Sequence, residues 1–110
     1  MKTRRIHRAA ATPSVHRIVE DIIGCKWSLA VLAQVRAGVL RPGALEQAIP
    51  GISAKVLNER LKKLTRYGIL ERTSYAEIPP RVEYRLSAFG AQLGAILDQI
   101  TALELQRTRQ

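Results

Sequence analysis

The spacing of apolar residues changes character twice between Ser53 and Gly90. Val56, Leu57, Leu61 and Leu64 gather on one side of a 3.6-residue wheel, with Lys55, Asn58, Glu59, Lys62 and Arg66 on the other. This predicts an amphipathic helix from the N-cap Ser53, which follows the Pro50-Gly51 turn, to about Tyr67, with Gly68 as its stop. Val82, Tyr84 and Leu86 then alternate with Arg81, Glu83 and Arg85, the period-two pattern of a half-buried strand whose predicted partner is Ile69 to Tyr75. At the tip, Ala76-Glu77-Ile78-Pro79-Pro80 places two prolines in succession. Their fixed φ and missing N–H donors stop the ladder and stiffen the projection, which is expected to end in the positive charge of Arg81.

Four further helical stretches flank this unit on their own patterns. Val15, Ile18, Val19, Ile22 and Ile23 form the apolar face of a first helix ending near Gly24. Lys26 to about Val35 is apolar on nearly every side, as a central buried helix would be, with Trp27 as a core anchor. Pro42 to Ile49 reads as a short helix with proline in its first turn, and it pairs with the basic helix as a helix-turn-helix. From about Ser87 to Gln106, Phe89, Leu93, Ile96, Ile100 and Leu103 are spaced four, three, four and three, a heptad-like seam.

A small domain has apolar faces enough for its own core, so this seam is expected to pair with a second copy. Val15 and Ile18 would share that interface, and Gly90, Ala91, Gly94 and Ala95 would permit close helix approach. The predicted fold is α+β and mostly helical: a winged helix-turn-helix with a two-stranded β-hairpin wing and N- and C-terminal dimerisation helices. It would occupy 14–107, with the last helix over about 87–107, after a flexible basic arm over 1–13.

Charge narrows the class of partner. Eighteen Lys and Arg against nine Asp and Glu give 110 residues a net charge of +9, which favours a polyanion, although ribosomal and membrane-surface proteins share such a balance. The first seventeen residues hold Lys2, Arg4, Arg5, Arg8 and Arg17 and no acid. They suit an arm on the DNA backbone or in a minor groove, a solvated tail, or a transit peptide. No signal-peptide core and no run of eighteen apolar residues occurs, so neither secretion nor a membrane span is supported, and a cytoplasmic, nucleoid-associated protein is expected.

Catalytic chemistry finds little support. One Cys and two His without CxxC or HxxxH spacing do not assemble a zinc site, and no nucleophile motif or glycine-rich phosphate loop is present. The reading is therefore no enzyme and no cofactor. Cys25, between Gly24 and Lys26, is open to two readings: a small buried apolar residue, or a thiol whose pKa Lys26 and a helix start lower.

The strings IIGCKWSLAVL, PGISAKVLNERLKKL, YGILER and EIPPRVEYRLSAFG, in that order, strongly resemble the HxlR-type winged-helix transcriptional regulators of bacteria, over roughly Val15 to Leu103. The resemblance implies a dimeric DNA-binding repressor or activator, distantly MarR-like. It departs from the family at Pro42, usually aromatic, and near Ala44, Glu46 and Gln47, usually charged. Where thiol-sensing members carry a cysteine, this chain has Ser14.

Base reading is assigned to Ser53, Ala54, Lys55, Asn58 and Glu59, since Lys reaches guanine and Asn adenine, and phosphate binding to Lys62, Lys63, Arg66 and Arg81. The expected partners are double-stranded DNA, carrying an inverted-repeat operator, and a second copy of the chain. A small-molecule or thiol-reactive effector near Trp27 and Cys25, and a winged helix used for protein or RNA contacts, are the alternatives.

Overall fold

The computed structural model describes residues 13–109 as α1 (Val15–Ile23), α2 (Lys26–Arg36), α3 (Pro42–Ala48), α4 (Ala54–Arg66), β1 (Leu70–Tyr75), β2 (Arg81–Leu86) and α5 (Ala88–Thr108). Serine hydroxyls start three of these helices. Ser14 Oγ accepts from Arg17 N at 3.2 Å, Ser53 Oγ from Val56 N at 3.1 Å and Ser87 Oγ from Gly90 N at 2.9 Å, each satisfying an N–H that the helix itself leaves free. Pro42 opens α3, where a missing N–H costs nothing. After α4, Gly68 adopts φ +80, a conformation that favours glycine, and Ile69 N turns back to donate to Leu64 O at 2.9 Å. This sharp stop delivers the chain directly into β1.

The core gathers one face from each helix: Ile18 and Ile22 of α1, Val31, Leu32 and Val35 of α2, Leu45 of α3, Leu57, Leu61 and Leu64 of α4, and Leu93 and Leu97 of α5. β1 and β2 pair antiparallel with Leu70 opposite Leu86 and Tyr75 opposite Arg81. Tyr84 N, in β2, donates to Leu40 O at 2.9 Å, so the α2–α3 connection covers part of the second edge of the hairpin. That bond fixes the wing beside the helix-turn-helix. On the other side, Ser87 N donates to Ile69 O at 3.0 Å, and Gly90 lies so close that an added Cβ would overlap the same carbonyl. Arg36 on α2 holds Asp98 on α5 through two bonds of 2.9 and 2.6 Å.

The terminal helix corrects part of the expected self-association seam. Ile18 and Leu93 are 2% and 1% exposed and belong to the chain's own core, and Phe89 is packed against it. Gly90 and Gly94 receive Ile69 and Arg36 of the same chain rather than a partner helix. A heptad spacing marks an apolar stripe without saying what covers it, and α5 carries two neighbouring stripes. The buried one is Gly90, Leu93, Gly94 and Leu97; the other, Ile96, Ile100 and Leu103, is exposed among the described residues, as is Val15 on α1. The arm expected over 1–13 lies outside the described residues except for Pro13.

Candidate nucleic-acid interface

Burial of Leu57, Leu61 and Leu64 leaves the opposite side of α4 in solvent. Ser53, Ala54, Lys55, Asn58, Glu59, Lys62 and Arg66 are all exposed. Helix α4 lies against α2 and α3, so it is braced as the second helix of the helix-turn-helix. Between α4 and the wing runs an open cleft lined by Asn58, Lys62, Thr65, Arg66, Arg72 and Tyr84. Three cations and one amide thus converge from two elements, with no carboxylate in the lining. Arg72, exposed on β1 with its side chain bonded to Ser74 Oγ at 3.1 Å and to no carboxylate among the described residues, extends the positive surface from the helix onto the wing. Such a surface offers charge-assisted donors to a polyanion.

Two expected phosphate contacts are placed otherwise. Lys63 points towards α1, where its Nζ is 3.0 Å from Asp21 Oδ1 and the Tyr67 hydroxyl donates to Oδ2 of the same carboxylate. The bond from Tyr67 and then that from Lys63 hold the Asp21 carboxyl below its ordinary value, and the same bond raises the Tyr67 phenol. Arg81 is not a free charge at the wing tip. Its guanidinium reaches Glu77 at 2.8 Å and Glu83 at 3.1 Å and lies 3.9 Å from the Tyr75 ring centroid. Glu83, expected on the outward face of the strand, is buried and also meets Arg85 at 2.7 Å and Arg41 at 3.9 Å. A carboxylate tolerates this burial because guanidinium groups surround it. What remains at the tip is Ile78, wholly exposed, between Glu77 and the two prolines.

These elements, in this order and with a single hairpin, form a winged helix-turn-helix. The sequence profile of the HxlR-like helix-turn-helix proteins matches residues 22–110, from the end of α1 through the wing and α5. The chain belongs to the HxlR-like helix-turn-helix family. The family is one of transcriptional regulators rather than enzymes. A relative from Synechocystis sp., named as the HTH-type transcriptional regulator sll1512, is 46% identical over 79 residues, which cover 72% of this chain and 58% of the relative. The chain therefore spans little more than half of that protein. The crystal structure of ytcD, named as an HTH-type transcriptional regulator, matches with a TM-score of 0.77 at 32% identity, covering 89% of this chain and all of the other. One from Enterococcus faecalis V583, named as a MarR-family regulator, gives 0.76 at 30% identity, covering 89% and 92%.

Elsewhere in this HxlR-like chain, the two candidate effector residues have structural surroundings. Trp27 is half-buried against the core, its Cη2 3.7 Å from where a Cβ on Gly51 would stand, so it supports the α3–α4 turn; Lys26 Nζ lies 4.9 Å from its ring centroid. Cys25 is half-buried at the N-cap of α2. Burial pushes its thiol up, but the neighbouring Ser28 donors and the Arg60 charge outweigh this and bring it down to about 7. Arg72 and Arg41 were not among the expected site residues. The period of β1 could have revealed Arg72, which stands opposite the buried Tyr84.

Proposed function

We propose that this chain is a sequence-specific, double-stranded-DNA-binding transcriptional regulator acting as a homodimer on an inverted-repeat operator. The observation that carries the reading is the convergence of Asn58, Lys62, Arg66 and Arg72 in one acid-free cleft beside the exposed face of α4. In this proposal α4 enters the major groove, where Ser53, Ala54, Lys55, Asn58 and Glu59 face base edges. Lys62, Arg66 and Arg72 bind the phosphates that border the groove and displace counterions. Lys63 and Arg81 hold the helix and the wing in place.

The exposed Ile96, Ile100, Leu103 and Val15 supply the surface for the second copy. A two-fold axis there sets the two reading helices about 34 Å apart, one turn of the duplex. No helix among the described residues is long and apolar enough to cross a membrane, which agrees with a place beside the nucleoid in the cytoplasm.

Competition between a duplex selected by the protein and a scrambled duplex of equal length tests the reading. The selected duplex should win by at least roughly 10³-fold, and affinity should fall by roughly 10³ to 10⁵ between 50 and 200 mM salt for six to ten phosphate contacts. Equal retention of both duplexes would leave only a general polyanion binder. Preference for folded RNA or for an acidic protein would move the surface to an interaction module.

A further inference from the structure

We propose that the wing engages DNA through Ile78, as an apolar contact in the minor groove, while Arg81 acts as an internal strut that holds it there. The inference rests on the regulator reading above. A phosphate approaching Arg81 would have to displace Glu77 and Glu83, which already hold its guanidinium over the Tyr75 ring. Arg81 bridges these two carboxylates, so it ties the tip residue Glu77 to the strand residue Glu83. The charge of Glu77 is thereby matched, and the outermost surface, Ile78-Pro79-Pro80, is neutral and apolar.

An exposed isoleucine alone signifies little, because single apolar side chains are common on protein surfaces. Its position gives it meaning. Arg72, on the same strand β1, lines the cationic cleft, and β1 then runs outward to Tyr75. At about 3.3 Å per residue the strand gains roughly 10 Å beyond Arg72 before the tip begins. If Arg72 binds the phosphate strand bordering the major groove, that length carries Ile78 across the strand to the adjoining minor groove. Its walls are deoxyribose rings, and isoleucine and proline are among the side chains that enter it without carrying charge. Two prolines and the Arg81 bridge hold the tip in one conformation, which reduces the ordering cost of the contact.

Ile78→Ala, Ile78→Arg and Arg81→Ala in the full chain separate this arrangement from a cationic wing. The probe is a duplex selected by the unsubstituted protein from a random-sequence pool, with dissociation constants measured over a salt series. Ile78→Ala should weaken binding roughly tenfold per wing, the loss of about half the burial of three carbons, with an unchanged salt slope and melting temperature. Ile78→Arg should steepen the slope, and Arg81→Ala should lower the melting temperature and weaken binding at an unchanged slope.

Ile78→Ala binding like the parent overturns the proposal. So does an Arg81→Ala slope that is shallower by roughly 0.9 per wing, the mark of a lost phosphate contact. An unsubstituted chain that retains no duplex overturns the regulator reading and this inference together.

Discussion

Helix α4 and strand β2 of the wing carry the same kinds of cation and use them oppositely. On α4, Lys55, Lys62 and Arg66 lie outward and none is in an ion pair among the described residues; on β2, Arg81 and Arg85 are both bound to Glu83, with Glu77 closing on Arg81 from the tip. Proximity of carboxylates, more than the number of basic residues, decides which arginines a polyanion can reach. A cation whose partner is water gives up little on meeting a phosphate, whereas one held by two carboxylates must first lose them. In the proposed complex the arginines of β2 therefore contribute to the shape of the wing, and the cations of the cleft, Arg72 of β1 among them, contribute to its affinity.

Emptying the cleft should have the largest effect. Lys62→Ala, Arg66→Ala and Arg72→Ala combined should reduce the log–log salt slope by roughly five for a dimer losing six phosphate contacts, while thermal unfolding stays near that of the parent. A slope that does not move would place the phosphate contacts elsewhere and end the comparison. Next in size, Glu83→Gln should destabilise the fold by about 2 kcal/mol, because three guanidinium groups lose their shared carboxylate, discounted for the exposure of Arg41 and Arg85. Combined with Glu77→Gln, which removes the second carboxylate, the same change should free Arg81 and raise affinity for duplexes of any sequence, as read from calorimetry and binding on one sample. Stability loss without that rise would mean that the released arginine does not face DNA.

Much of this division is legible along the chain, and the part that is not has a physical reason. Ser53, Gly68, Ser87 and the proline pair mark their turns by local chemistry, which operates within a few residues and so survives as a pattern. The buried face of α4 follows from its period. Glu83 does not, because alternation along β2 distinguishes two faces without saying that Arg41, far away in sequence, comes to one of them. Lys63 and Arg81 looked free for the same reason: Asp21 lies on another element, and Glu77 reaches Arg81 only through the bend at the tip. Nor does the heptad spacing of α5 reveal that Leu93 serves the chain's own core while Ile96 and Ile100 stay exposed.

A smaller change sharpens the same contrast at the base of α4. Asp21→Asn should lower stability by about 1 kcal/mol, since both partners of the Lys63 pair are partly exposed. The carboxyl of Asp21 is held below its ordinary 3.8. Its contribution is thus complete above that value and disappears as pH falls through the lower, folded one. Unfolding curves of parent and variant should accordingly converge at acid pH and stay apart at neutral pH. A gap that persists in acid would assign the loss to packing of Tyr67 rather than to charge.

The central claim, that two copies of α4 and its cleft read one duplex, is tested most directly by selecting bound duplexes from a random-sequence pool and reading the enriched sites. The enriched sites should form an inverted repeat whose half-sites are centred about one helical turn apart, roughly 10 base pairs, with the preference within each half-site relaxed by Asn58→Ala. A pool that emerges unenriched, or one enriched for a single isolated half-site, would contradict it.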